Sequence, residues 1–179
     1  AMYREAQQFL LQWKVSDRRK PLIIRGARQV GKTWLMQWFG QAEYDNVAYI
    51  NFDGNDRMAQ LFSGDLDIER ICSGLEIEAD TTITPGKTLL IFDEVQEVPR
   101  ALTSLKYFCE NAPEHHVVAA GSLLGVALHP GTSFPVGKVS FLELFPLSFM
   151  EFLKAVGQER FADLCERQEW DLINTFSGK

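Results

Sequence analysis

The chain has 179 residues, 46% hydrophobic and 23% charged, with a formal net charge of −6. This is the balance of an ordinary soluble globular domain, and it carries no global basic footprint for nucleic acid. No apolar run approaches the ~18 residues of a membrane span and no signal peptide opens the chain, so the expectation is a cytoplasmic protein with no membrane contact.

Three cysteines, Cys72, Cys109 and Cys165, are far apart with no CxxC pair. That spacing argues for buried thiols in a reducing compartment rather than disulfides or a zinc site. Arg18, Arg19 and Lys20 make one short basic run, read as a solvated turn. Nucleic-acid binding therefore stays possible but unsupported. Ala1 ahead of Met2, and a stop in "NTFSGK" without a cap, lead us to expect a piece of a longer protein.

In chain order, Ala6, Phe9, Leu10 and Trp13 keep helical spacing, and "PLII" (Pro21–Ile24) reads as a short buried strand. A glycine loop follows. Trp34, Leu35, Trp38 and Phe39 then give the next helix its stripe, with Gly40 as its expected stop. "NVAYINF" (Asn46–Phe52) is β-prone and ends in the turn cluster "DGND". Ile68, Ile71, Cys72 and Leu75 return to helical spacing, and "PGK" breaks the chain before the strand "TLLIF" (Thr88–Phe92). Pro99 opens a further helix with Leu102, Leu105 and Cys109 inward. "HVVAA" (His116–Ala120) is a fourth strand and "KVSFLEL" (Lys138–Leu144) a fifth. Phe149, Phe152, Leu153 and Val156 begin another helix, and "HPGTSFPVG" (His129–Gly137) reads as an extended loop. Continuous apolar strands alternating with helices predict a mostly parallel, three-layer α/β sheet.

"GARQVGKT" (Gly26–Thr33) fits GxxxxGK[ST] between a strand and a helix. Glycines there let successive backbone N–H groups point at phosphate oxygens, and the following helix adds its positive end. The expected nucleotide-binding residues are Gly26, Ala27, Arg28, Gln29, Val30, Gly31, Lys32, Thr33 and Trp34. Lys32 would reach the β- and γ-phosphates of ATP, and the Thr33 hydroxyl would ligate Mg²⁺. Arg28 and Gln29 could touch phosphate, a partner or water. "LLIFDE" (Leu89–Glu94) supplies the complementary feature: an apolar strand ending in two acids. Asp93 is expected in the Mg²⁺ shell, and Glu94 is expected to polarise the attacking water.

With "YINFD", "LLIFDEVQEVP", "VVAAGS" and "FPVGKVSFLELFPLSFMEF", the chain resembles the AAA+ branch of P-loop ATPases. More narrowly, it resembles a widespread prokaryotic group of ATP-binding proteins, read here as bacterial, in which an AAA+ module precedes an uncharacterised C-terminal domain that is sometimes described as nuclease-like. The resemblance implies a five-stranded sheet of order 5-1-4-3-2, with "HVVAA" between the P-loop strand and the acid-bearing strand. It also implies a catalytic sensor role for Ser122 beside the γ-phosphate, alongside Lys32 and Glu94. The family usually has Gly-Arg where this chain has Gly137-Lys138; lysine keeps the charge but loses the bidentate fork. Arg100 and Arg160 are the other basic candidates for a finger.

The expected organisation is an N-terminal helix and linker over 1–20, an ATPase core over 21–157, and a helical start of a lid or following domain over 158–179. Asn51 either restrains Glu94 or simply ends its strand. His115 and His116 read as a solvated turn rather than a metal pair. Trp34 and Trp38 read as core, with Trp34 near enough to flank a nucleotide. The leading function is a Mg²⁺-dependent ATPase that switches or moves a partner: an unknown protein, its own C-terminal domain or another copy of itself. The alternatives are a nucleotide-dependent binding module with little hydrolysis and a P-loop small-molecule kinase. The kinase fits less well because it does not need Glu94.

Overall fold

The structure is a computed structural model that describes residues 2–26, 31–121 and 136–144. Its elements run α1 (Met2–Val15), β1 (Leu22–Arg25), α2 (Lys32–Glu43), β2 (Asn46–Asn51), α3 (Asp56–Ser63), α4 (Ile68–Ala79), β3 (Thr88–Asp93), α5 (Pro99–Asn111), β4 (His116–Ala120) and β5 (Ser140–Glu143), with a 3₁₀ turn at Val95–Glu97. The strands form one sheet of order β2-β3-β4-β1-β5, every pair parallel. Read from its other edge this is 5-1-4-3-2, as expected.

Strand side chains alternate between faces, so each strand feeds two cores. Leu22, Ile24, Leu89, Ile91, Val118 and Ala120 face one way, where α1 and α2 cover them with Leu10, Trp13, Leu35, Met36 and Phe39. Ile23, Ile50, Leu90, Phe92, Val117 and Ala119 face the other way, packing on Phe62 of α3, Leu75 of α4 and Leu105 and Phe108 of α5. Helices thus lie on both faces, which is why these strands read as unbroken apolar runs.

Several expectations need correction. β1 begins after Pro21, which has no N–H to give the ladder, although the Pro21 carbonyl accepts from Ser140 N. Gly40 does not stop α2, which continues to Glu43. A Cβ at Gly40 would lie 2.4 Å from Val47 Cγ2, so this glycine permits close approach of α2 to β2. The "DGND" cluster is not only a turn. It launches α3, whose N-cap Asn55 accepts from Met58 N and which buries Met58 and Phe62. In α5 Phe108, not Cys109, faces the core.

His116 is buried at 6% exposure inside β4, and Tyr44 Oη lies 2.6 Å from its Nδ1. The solvated-turn reading fails for it because a neutral imidazole with a hydroxyl partner is cheap to bury. The Trp13 indole packs edge-on against His116 and donates to Lys20 O. The helix over 149–156, most of the loop 129–137 and Cys165 lie outside the described residues.

Candidate functional site

In a parallel sheet all carboxyl ends of the strands share one edge, where open α/β sheets bind ligands. β1 runs out at Arg25 and the chain passes through Gly26 toward α2. Gly31 takes φ 84°, ψ 21° as the residue capping α2, a left-handed conformation that favours glycine. Lys32 follows, 8% exposed, with Nζ donating to Gly26 O at 2.6 Å. Its ammonium therefore sits against the carboxyl end of β1.

Thr33, in the first turn of α2, donates from Oγ1 to Asp93 Oδ2 at 2.7 Å. Tyr49 Oη donates to the same oxygen at 2.6 Å, and the Glu94 backbone N–H donates to Asp93 Oδ1 at 3.0 Å. Asp93 is only 4% exposed, and a buried carboxylate of this kind needs such donors. Tyr49 is held well above the ordinary phenol range by burial, then by its hydrogen bond to Asp93 and the charges of Asp93 and Glu94. It keeps its proton and remains a donor.

Glu94 turns the chain away from the sheet at φ 53°, ψ 43°. This left-handed backbone is uncommon outside glycine. Its carboxylate Oε2 accepts from Gln96 Nε2 at 2.5 Å. Asn51, opposite Asp93 in the ladder, is exposed and accepts from Asp53 N at 2.9 Å, so it has the strand-ending role. The partner of Glu94 is Gln96, not Asn51.

Of the expected site residues, the fold brings together Gly26, Gly31, Lys32, Thr33, Asp93 and Glu94. Trp34 is half-buried and packs, with Trp38, against the core under α1 and α2. Ala27, Arg28, Gln29, Val30 and Ser122 lie outside the described residues, as does Arg160. Arg100 is engaged elsewhere: it donates to Phe62 O and Gly64 O, closing the carboxyl end of α3. Lys138 Nζ pairs with Glu110 Oε1 at 3.4 Å.

Sequence reasoning missed Tyr49, Gln96 and Arg25. Tyr49 shares the Asp93 face of the ladder one β-step back, a parity legible once the strands are paired. Arg25, beside the loop, pairs with Glu143 across the β1–β5 register and lies 4.2 Å over the Phe141 ring.

Among the described residues no cluster of three or more His, Cys, Asp or Glu could hold a metal. The Thr33–Asp93 pair nevertheless fits Mg²⁺. That ion takes hard oxygens, keeps several waters, and is commonly held by one or two protein groups plus phosphate.

A strand, a glycine turn, a buried lysine at a helix start and a threonine tied to a strand-end aspartate define a P-loop nucleotide-binding fold. The sequence matches the AAA domain family over residues 18–153, and the chain belongs to that family. It is an AAA-type ATPase module. Among solved structures it is similar to a Walker-type ATPase of Pyrococcus abyssi, at 17% identity and a TM-score of 0.54. That match covers 87% of this chain and 58% of the other. It is also similar to the ORC1 protein of Aeropyrum pernix in complex with DNA, at 12% identity and a TM-score of 0.51, covering 93% of this chain and 54% of the other. These likenesses are of fold. The chain thus spans little more than half the length of either protein. No curated protein sequence matches it.

Proposed function

We propose that this chain binds ATP and ADP with Mg²⁺ at the Gly26–Thr33 loop and hydrolyses ATP. The observation that carries the reading is the Thr33 Oγ1–Asp93 Oδ2 hydrogen bond of 2.7 Å, which joins the loop's helix to the acidic strand end. Thr33 can give its proton to Asp93 and still offer oxygen lone pairs to a cation. Lys32 exchanges its Gly26 carbonyl partner for phosphate oxygens, and the amides at the start of α2 add donors. When bound, Mg²⁺·ATP supplies the electrophilic phosphoryl group and the cation that neutralises its charge. Asp93, held by three donors, orients the water shell of that cation, while Glu94 accepts the proton of the attacking water. Ser122 is assigned the sensor position by the resemblance above.

The core is taken as 21–157, preceded by the helix and linker of 1–20 and followed by a helical start of a lid or further domain over 158–179. The module acts as a switch or motor on a protein partner, its own C-terminal domain or a second copy, in the cytoplasm. The engagement of Arg100 and Lys138 within the chain favours slow hydrolysis by this chain alone. A finger in trans is worth about 10³–10⁵ in rate in other P-loop enzymes.

The test is calorimetry of ATP and ADP binding with and without Mg²⁺, on the parent and Lys32→Ala. The variant is expected to bind markedly more weakly. Equal affinity would sink the assignment.

A further inference from the structure

We infer that Gln96 is a positioning residue that holds the Glu94 carboxylate for hydrolysis. The inference rests on the role proposed above for Glu94. Gln96 lies in the 3₁₀ turn that Glu94 caps, and its Nε2 amide faces two carboxylates, Glu94 Oε2 at 2.5 Å and Glu97 Oε1 at 3.5 Å. That arrangement fixes which end of the amide is which. The opposite orientation would set a carbonyl oxygen against an ionised carboxylate.

The remaining end of the amide is what separates a functional role from simple packing. Gln96 Oε1 is buried and, among the described residues, has no hydrogen-bond partner. Buried polar atoms are nearly always paired, and an unmet acceptor costs stability. A methionine or leucine would fill the same space without that cost. Glu94 itself carries a left-handed backbone, a second local cost at the same turn. Two unfavourable features meet where a side chain must be aimed, and together they hold one carboxylate oxygen. By donating to Oε2, Gln96 sets the plane of the Glu94 carboxylate and so the direction in which its remaining lone pairs are presented to a proton. A carboxylate free to rotate would spend most of its time misdirected, and misplacement of a reacting group by about 1 Å costs on the order of 100-fold in rate.

The test uses single-turnover hydrolysis of Mg²⁺·ATP by this chain in excess, for the parent, Gln96→Met, Glu94→Ala and the double variant. ADP affinity is measured by calorimetry on all four. Gln96→Met is expected to slow hydrolysis about 10-fold to 100-fold with ADP affinity and thermal stability preserved. Added to Glu94→Ala it should cause no further loss, because it acts through Glu94. A rate equal to the parent's, while Glu94→Ala is slow, would overturn the positioning role and leave the ATPase reading standing. Additive losses with weakened ADP binding would show a merely structural residue. If Glu94→Ala itself hydrolyses normally, the base assignment falls and this inference falls with it. A readout independent of turnover is the side-chain amide resonance of Gln96 in a ¹⁵N-labelled sample. Hydrogen bonding to a carboxylate should displace it from the ordinary glutamine position, and Glu94→Ala should return it there. A resonance indifferent to that change would show that the contact does not exist in solution.

Discussion

Tyr49 and Asp93 lie on neighbouring parallel strands, and the phenol donates to the carboxylate across 2.6 Å. Thr33 meets the same oxygen from α2, so Asp93 Oδ2 is aimed by two donors on different elements. Outer partners of metal-site residues usually matter about 10–100-fold in affinity. Tyr49→Phe is therefore expected to raise the Mg²⁺ concentration needed to support ATP binding by about 10-fold, with the fold intact. A Mg²⁺ titration of ATP binding followed by calorimetry measures it. An unchanged midpoint would reduce Tyr49 to a space-filling role.

Glu94→Gln keeps the size of the side chain but removes its charge and basicity. ATP binding should survive, while hydrolysis falls by about 10²–10⁴-fold, the worth of a positioned general base. Asp93→Asn should instead weaken the dependence of binding on Mg²⁺. Parallel binding and turnover assays on both variants separate the two acids. Turnover untouched by Glu94→Gln would leave a nucleotide-dependent binding module as the better description.

His116 supplies a pH prediction. Burial, with the charges of Arg19, Lys14 and His115 adding to it, pushes the imidazole down from 6.5 to about 4. The unfolded chain takes up a proton near pH 6.5 that the folded chain refuses until about pH 4. The unfolded state thus binds more protons in that window. Stability from this group is full above pH 6.5 and is lost as pH falls toward 4, by on the order of 2–3 kcal/mol. Denaturant midpoints between pH 4.5 and 7.5 should show the fall, and His116→Phe, which keeps a ring there but cannot titrate, should flatten it. An equal slope in the variant would place the acid sensitivity elsewhere.

Gly40→Ala sets two effects against each other. Alanine favours a helix interior over glycine by about 1 kcal/mol. The new Cβ, however, would sit 2.4 Å from Val47 Cγ2, and overpacking of this kind typically costs about 1–3 kcal/mol. Val47 is β-branched and has little rotamer freedom with which to retreat. The net expectation is destabilisation of about 1 kcal/mol, a fall of roughly 2–4 °C in Tm for a chain of this size. Val47→Ala in the same chain should remove the penalty. A stabilised Gly40→Ala would mean that α2 lifts from β2 without cost.

What was legible in the sequence was local. Gly26, Gly31, Lys32 and Thr33 are close in sequence around one helix start, and Asp93 and Glu94 lie at the end of one strand, so spacing alone singles them out as candidates. The sheet order was also anticipated, through resemblance to AAA+ proteins. What escaped notice depends on partners far along the chain. Tyr49 looks like one more β-prone aromatic until β2 is set beside β3. His116 looks polar until Tyr44 is brought to its Nδ1. Gly40 looks like a helix stop until Val47 is found against it. Gln96 was close by in sequence, yet only the turn geometry shows which carboxylate it serves.

The position of β1 has a consequence for how the protein comes into being. Its neighbours are β4 and β5, with Ile23 beside both Ala119 and Phe141, so the strand that carries the phosphate loop waits for the far half of the chain. During synthesis the loop emerges early but has no flanking strand until β4 has been made. Non-local parallel pairing of this kind is slow to assemble, since the chain closure must come before the contacts that reward it. On the proposed function, capture of a nucleotide would report that β4 and β5 have docked beside β1, and the ligand would act as a late fastener that stabilises only the assembled sheet.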